Sequence, residues 1–190
     1  MSRASRRSTS PERRPSLAKR WERGDHRPVI SIRRINTDDE LYPAECVLRE
    51  EVLLRAVGFD FASFARDYPF EDRVEHYVAV LDRPDGAEVV GCALLLRDYP
   101  DPGHGKVMQV AVNPQLRGQG VGRSLMAEIE SRAFGQLGLA QLFCHAQLTA
   151  VPFYARIGWL ETGEVFQEAG IDHRRMVMPR PDPPSEPPLY

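Results

Sequence analysis

Residues 117–123 read Arg-Gly-Gln-Gly-Val-Gly-Arg, so Gly118, Gly120 and Gly122 lie between Arg117 and Arg123. Glycine lacks a Cβ, reaches positive φ and lets a bulky group approach the backbone. A helix starting at this loop leaves its first N–H groups unpaired at the positive end of its dipole. A pyrophosphate satisfies such groups, and the two arginines add charge-assisted bonds to its oxygens. Two other phosphate loops fail on spacing: a Rossmann fingerprint needs glycine where Arg123 stands, and a Walker loop needs a Gly-Lys-Ser/Thr that is absent. A glycine-rich connection that binds nothing is the alternative reading, and the flanking elements must decide.

Before the loop, the apolar run Val107 to Val112 reads as a buried strand stopped by Asn113 and Pro114. After it, Val121, Leu125, Ile129 and Phe134 recur at helical spacing as far as Leu137-Gly138, with Arg123, Glu128 and Glu130 directed to solvent. The unit is strand, glycine loop, helix. Upstream, Val29 to Ile35 predicts a first strand, and Asn36 to Asp38 offer N-cap chemistry for an amphipathic helix from Leu41 to Val57, closed by Gly58. Glu50 and Glu51 fall on its solvated or edge face. The aromatic segment Phe59 to Phe70 reads as irregular chain packed over something, a substrate lid. His76 to Asp82 and Glu88 to Arg97 form a hairpin around Arg83-Pro84-Asp85-Gly86. Downstream, strand Leu142 to Leu148 puts Phe143, His145 and Gln147 on one face and Leu142, Cys144 and Ala146 on the other. A short helix, Thr149 to Ile157, takes Thr149 as N-cap and Pro152 in its first turn, and two strands, Glu161 to Gln167 and His173 to Met178, flank Glu168-Ala169-Gly170.

With 190 residues, the chain reads as one domain over 29–178 between a basic Arg/Ser/Pro-rich arm, 1–28, and a proline-rich tail, 179–190, both expected to be disordered. The net charge of -2 hides an asymmetry: the arm carries nine Arg/Lys against three acids, +6, which leaves -8 for the rest. The arm's arginines are not interleaved with stacking aromatics, so a solvated tail is preferred to a polyanion contact and nucleic acid is not an expected partner. No apolar run approaches a membrane span and no apolar run follows the N-terminal arginines, so cytoplasmic residence without a membrane partner is the default. Cys46, Cys92 and Cys144 are dispersed and odd in number, read as reduced, buried residues, and no metal site is expected. His26 and His104 read as solvent residues, and His76 as the start of a strand.

Arg117-x-x-Gly120-x-Gly122 after Val-Asn-Pro resembles the pyrophosphate loop of the GCN5-related N-acetyltransferase (GNAT) superfamily. Ala150-x-x-Phe153-Tyr154-x-x-x-Gly158-Trp159 resembles that family's second signature, with Gln147 in place of its Asn and Trp159 in place of its Phe. Within the resemblance, which covers 29–178, His145-Ala146-Gln147 followed by the stretch Gly163 to His173 is similar to the ElaA-type branch of predicted acyltransferases, with Asp172 where that branch commonly has proline. The implied fold is α+β, a mixed and mostly antiparallel sheet of about six to seven strands flanked by helices.

The resemblance also implies the chemistry. Acetyl-CoA would be the acyl-donor cosubstrate, held by Val110, Ala111 and Val112 of the strand, by Arg117, Gly118, Gln119, Gly120, Val121, Gly122 and Arg123 of the loop, and by Phe153. A backbone N–H of Val112 or a neighbour would polarise the thioester carbonyl, and Tyr154 would donate to the departing thiolate; the alternative for Tyr154 is a core phenol with its hydroxyl at the rim. The base stays open. His145 is one candidate, or else a structural histidine bonded to Gln147 or a backbone group; Glu168 and His173 could bind or deprotonate the amine, or form a polar pair fixing their turn. The expected activity is direct acetyl transfer to a primary amine of a small molecule, with the acidic body favouring a cationic amine over nucleic acid. A non-catalytic acyl-CoA-binding sensor or interaction module is the alternative, and a monomer or homodimer is expected.

Overall fold

The structure, a computed structural model, describes residues 29–84 and 86–182; the expectations for the arm and for the last eight residues of the tail lie outside them. Seven strands form one sheet: β1 (Ile30–Ile35), β2 (Val74–Arg83), β3 (Gly86–Arg97), β4 (His104–Val112), β5 (Gln141–Gln147), β6 (Leu160–Glu168) and β7 (Ile171–Pro179). Their order is β1-β2-β3-β4-β5-β7-β6, antiparallel except between β4 and β5. This is the mixed α+β sheet the sequence predicts. The near-continuous apolar runs of β2 and β3 fit their central position, where Val78, Val80, Val90, Cys92 and Leu94 are fully buried between two layers.

One layer is helix α3 (Val121–Glu130), which follows the glycine loop. Its Leu125, Met126 and Ile129 join Leu95, Val107, Leu142 and Met176 in the larger core cluster. The helix widens into a π-type turn, Ser131–Gln136, and ends before Gly138 at φ 67°. Glu130 is not solvated as its spacing predicts: Trp159 Nε1 donates to it at 2.8 Å, and burial pushes its carboxyl up. The short helix α4 (Val151–Arg156) has Ala150 rather than Thr149 at its N-cap, with no side-chain cap bond, and Pro152 in the first turn. Strand β7 reaches Pro179, and Arg180 N–H donates to the Ala140 carbonyl at 2.9 Å.

The opposite layer differs more from expectation. Helix α1 (Tyr42–Arg49) is regular for eight residues only, then widens to a π-type turn, Glu50–Leu54, and tightens to a 3₁₀ turn, Arg55–Val57, before Gly58 at φ 83°. Its N-cap is Leu41, with no side-chain cap bond, so the capping predicted at Asn36 to Asp38 is not made; just before it Asp39 Oδ1 accepts from Leu41 N–H at 2.9 Å. Phe59 to Phe70 is not irregular: it contains helix α2 (Phe61–Asp67), capped by Asp60, whose Oδ1 accepts from Ser63 N–H at 2.7 Å. Glu50 Oε2 accepts from Phe61 N–H at 3.0 Å and ties α2 to the widened turn. That bond gives Glu50 a role that its edge-face assignment lacked.

Candidate active site

Strands β4 and β5 pair only through His104–Lys106 and Gln141–Phe143, although both run on. The cause lies in β4, where the register against β3 slips between Cys92 and Leu94 and Gln109 sits at φ 51°. Such a bulge bends its strand and raises the local twist. Past Lys106 the facing edges diverge, and backbone groups that a sheet would pair are left open. The gap belongs to a cleft of about 1310 Å³.

One half of the cleft is built by the glycine loop. Gly118 and Gly120 have φ 76° and 87°, a region where a side chain is strained. Gly122 has a different reason: a Cβ there would stand 3.2 Å from Phe153 Cζ, so the bare backbone lets that ring pack on the helix start. The first intrahelical bond recorded at this end is Ser124 N–H to the Gly120 carbonyl at 3.0 Å, which leaves the N–H groups of Val121, Gly122 and Arg123 for another acceptor. Arg117 Nε donates to the Val112 carbonyl at 3.3 Å and so stands at the end of β4. Arg117, Arg123 and Arg156 line this half, and none has a carboxylate within ion-pair range among the described residues. Val110, Ala111, Val112, Gly118, Gly120, Val121, Gly122 and Phe153 line it as well. Gln119 does not: its side-chain amide donates to the Gln115 carbonyl at 3.4 Å, within the loop.

Tyr154 lies where the two halves meet, 5% exposed and lining the cleft. Its ring packs edge-on against Phe153 at 5.0 Å and tilted against Trp159 at 5.4 Å. Burial, and then the adjacent Cys144 thiol, push its phenol well above the ordinary tyrosine range, so it is an O–H at any working pH. Cys92 and Cys144 are buried and Cys46 half-buried, all three unbridged.

The other half brings together His145, Glu168 and His173, which the sequence offered separately. His145 Nδ1 donates to Glu168 Oε2 at 2.9 Å, and that assignment leaves Nε2 with its lone pair. Phe166 packs edge-on against the imidazole at 4.8 Å. Burial first, then the Lys106 and Arg175 cations, pull the His145 pKa down against the opposing pull of Glu168, and the net is a lowered value. His173 Nδ1 donates to the Ile171 carbonyl at 2.8 Å, so Glu168 and His173 are not a bonded pair; Phe166 stacks on His173 at 6.0 Å. Phe59, Phe64, Tyr68 and Phe70, from α2 and its flanks, form an aromatic wall of this half. The segment expected to be an irregular lid is thus a partly helical wall of the cleft.

Sequence reasoning missed the ionic cluster packed beneath that wall. Arg49, fully buried, donates from Nη1 and Nη2 to the two Glu71 oxygens at 2.8 and 2.7 Å, and from Nε to Gln109 Oε1 at 3.4 Å. Glu45, also buried, sits against His76 Nδ1 at 3.0 Å, while His76 Nε2 donates to the Glu71 carbonyl at 3.1 Å. Both ring nitrogens thus face acceptors. Burial alone would lower the His76 pKa, but the bond to Glu45 and its charge outweigh burial and raise it. With His76 protonated the two acids and two bases cancel. The available signal was Glu45-x-x-x-Arg49, an i,i+4 pair on the helix face that also carries Leu41 and Leu48 to the core.

Among the described residues no helix is long and apolar enough to cross a membrane, and no group of three or more His, Cys, Asp or Glu is placed to hold a metal. The acetyltransferase (GNAT) domain pattern matches residues 59–179. The UPF0039 protein sll0451 of Synechocystis is 29% identical over 79 residues, covering 42% of this chain and 49% of that protein, so the match spans about half the length of that curated relative. An acyl-CoA N-acyltransferase of Pseudomonas aeruginosa superposes with a TM-score of 0.61 at 22% identity, over 80% of this chain and 99% of that one. ElaA of Escherichia coli superposes with a TM-score of 0.58 at 21% identity, over 78% and 99%. At such identities the superpositions speak for the fold. The domain match, over more than half of the sequence and centred on the splayed strands, glycine loop and Tyr154 helix just described, makes this chain a member of the GNAT acetyltransferase family.

Proposed function

We propose that the protein is an acetyl-CoA-dependent N-acetyltransferase that acetylates the primary amine of a small molecule directly, in the cleft between β4 and β5. The observation that carries this reading is the meeting of three sets of donors at one cleft: the open edge of β4, the first N–H groups of α3 and the Tyr154 hydroxyl. Acetyl-CoA supplies an acetyl thioester on a pyrophosphate-bearing arm. The helix N–H groups with Arg117, Arg123 and Arg156 hold the phosphates, and the positive φ of Gly118 and Gly120 keeps side chains out of their way. The open β4 edge around Val112 holds the arm, and an N–H there faces the carbonyl oxygen as charge develops on it. Tyr154 keeps its proton and donates a hydrogen bond to the sulfur position. With so high a pKa it stabilises a thiolate better than it protonates one.

His145 is the base in this reading. Glu168 fixes the tautomer that leaves Nε2 able to take the amine proton, and the lowered pKa keeps the ring neutral near pH 7. His173, with Nδ1 tied to a carbonyl, presents Nε2 to the same space and orients the acceptor. The pairing of His145 with Glu168, absent from any need of a mere acyl-CoA sensor, favours the enzyme over that alternative. Thiol release from acetyl-CoA with a panel of primary amines tests the reading. Tyr154→Phe is expected to lower kcat by about 100-fold while leaving acetyl-CoA affinity within about twofold. Equal turnover by the Phe variant removes the role given to the hydroxyl.

A further inference from the structure

Resting on that reading, we infer that the acceptor is a primary amine that also carries an anionic group on an apolar, preferably aromatic, body, and that Lys106 and Arg73 hold the anion. The register places Lys106 on one line across the sheet with Val74, the residue after Arg73. Arg73 ends a 3₁₀ turn and immediately precedes Val74; Val74 pairs with Leu96, Leu96 with Lys106, and Lys106 with Phe143, so the strand start at Arg73 lies two strand spacings, about 10 Å, from Lys106. A ligand the size of an amino acid spans part of that distance. His145 is two residues beyond Phe143 on the same face, so an anion held at Lys106 sets an adjacent amine beside the base.

Neither cation is spent on the protein itself. Lys106 and Arg73 both line the cleft, and among the described residues neither has a carboxylate within ion-pair range. Lys106 Nζ instead lies over the Tyr99 ring at 5.7 Å, and Tyr99 stacks on Phe143 at 6.4 Å. Arg175, paired with His145 across β5 and β7, stacks over Phe143 at 4.4 Å behind this end of the cleft. Against them stands Glu168, the one carboxylate lining the cleft among the described residues, and His145 already occupies it. Phe59, Phe64, Tyr68 and Phe70 face these charges with rings, which suit an apolar body.

The excess of acids over bases in the body points the other way, to a cationic acceptor, but surface charges beyond about 10 Å are screened in salt, and groups inside a cleft are screened much less. The lining charges therefore decide. A polyamine would meet Lys106 and Arg73 with only one lining carboxylate among the described residues, itself engaged, to offset them.

The test is a matched set of probes: L-phenylalanine, L-phenylalaninamide, 2-phenylethylamine and the aminophosphonate analogue of phenylalanine. Binding is read by calorimetry at pH 8.5 in the presence of saturating desulfo-CoA, so affinity is separated from turnover and from the state of His145. The expected result is at least tenfold tighter binding of an anionic probe than of the amide and the amine, with the carboxylate and phosphonate arms telling which anion fits. Lys106→Met is expected to collapse that preference toward unity, and Arg73→Gln to reduce it. Equal or tighter binding of the amide or amine, absence of binding by every probe, or a preference untouched by Lys106→Met overturns the inference. The proposed activity fails separately: if desulfo-CoA and acetyl-CoA do not bind, that reading is lost, whereas bound cofactor and acetylated neutral amines without an anion preference sink only this one.

Discussion

The two sides of the cleft solve the same problem, holding charge next to a ligand, in opposite ways. On the glycine-loop side, positive groups stay near solvent without a carboxylate among the described residues: these are Arg117, Arg123 and the N–H groups at the start of α3, which the proposed function assigns to a ligand. Behind the aromatic wall, Arg49, Glu45 and His76 are taken out of water and, with part-buried Glu71, satisfied by one another. The first arrangement costs little in the free protein and is useful when the ligand arrives. The second has already met a large desolvation cost and returns no net affinity for anything outside. What it provides is geometry, because Arg49 binds Gln109, the residue at whose positive φ β4 bends away from β5.

The comparison predicts different failures on the two sides. Arg49→Met removes the bidentate partner of part-buried Glu71 and leaves buried Glu45 with His76 alone, and is expected to cost about 3–5 kcal/mol of stability, a fall in Tm of roughly 10 °C for a domain of this size. Arg117→Ala should leave the Tm nearly unchanged, since an exposed arginine with no ion pair contributes little to folding. Thermal denaturation of both variants reads the contrast directly. A stable Arg49→Met protein with acetyl-CoA affinity intact means that the cluster neither holds the fold nor sets the bulge.

A smaller effect is expected in the pH profile. His145 must be neutral to accept a proton, so kcat/KM falls as pH drops through its lowered pKa. Lys106 disfavours the protonated ring, so Lys106→Met raises that pKa and moves the acid limb to higher pH; Glu168 favours it, so Glu168→Gln moves the limb lower. Limbs that stay in place, or that move in the reverse sense, take the base role from His145. The smallest effect belongs to Gly122→Ala. Its φ is not positive, so only the Phe153 ring must yield, and the change in stability is expected to stay within about 1 kcal/mol, the gain in helix propensity offsetting the crowding. A loss of several kcal/mol in urea titration would mean that the helix start cannot adjust.

The sequence was most legible where function depends on local chain chemistry. A glycine loop between an apolar strand and an amphipathic helix is written in consecutive residues, and Arg117 to Arg123 lie as expected except that Gln119 turns its amide back on the loop. The hairpin and the alternation along β5 were equally local, and so His145 was correctly assigned to the face opposite Cys144. What could not be read were partnerships across the chain. Glu168 meets His145 because β6 and β7 return beside β5, and Arg49 on α1, which packs on β3 and β4, meets Glu71 in the turn before β2; neither pairing leaves a mark at fixed spacing. The helix Phe61–Asp67 was missed for another reason. Its Asp60-x-x-Ser63 cap was visible, but five aromatic residues in twelve masked the period of so short a helix.

The central claim, that the loop and the splayed strands form an acyl-CoA site, is tested most directly by calorimetric titration of acetyl-CoA into the protein and into an Arg117→Ala/Arg123→Ala variant. Micromolar binding by the parent, weakened at least tenfold in the variant with its Tm unchanged, is the predicted result. Absence of binding by the parent, or equal affinity in the two proteins, contradicts it.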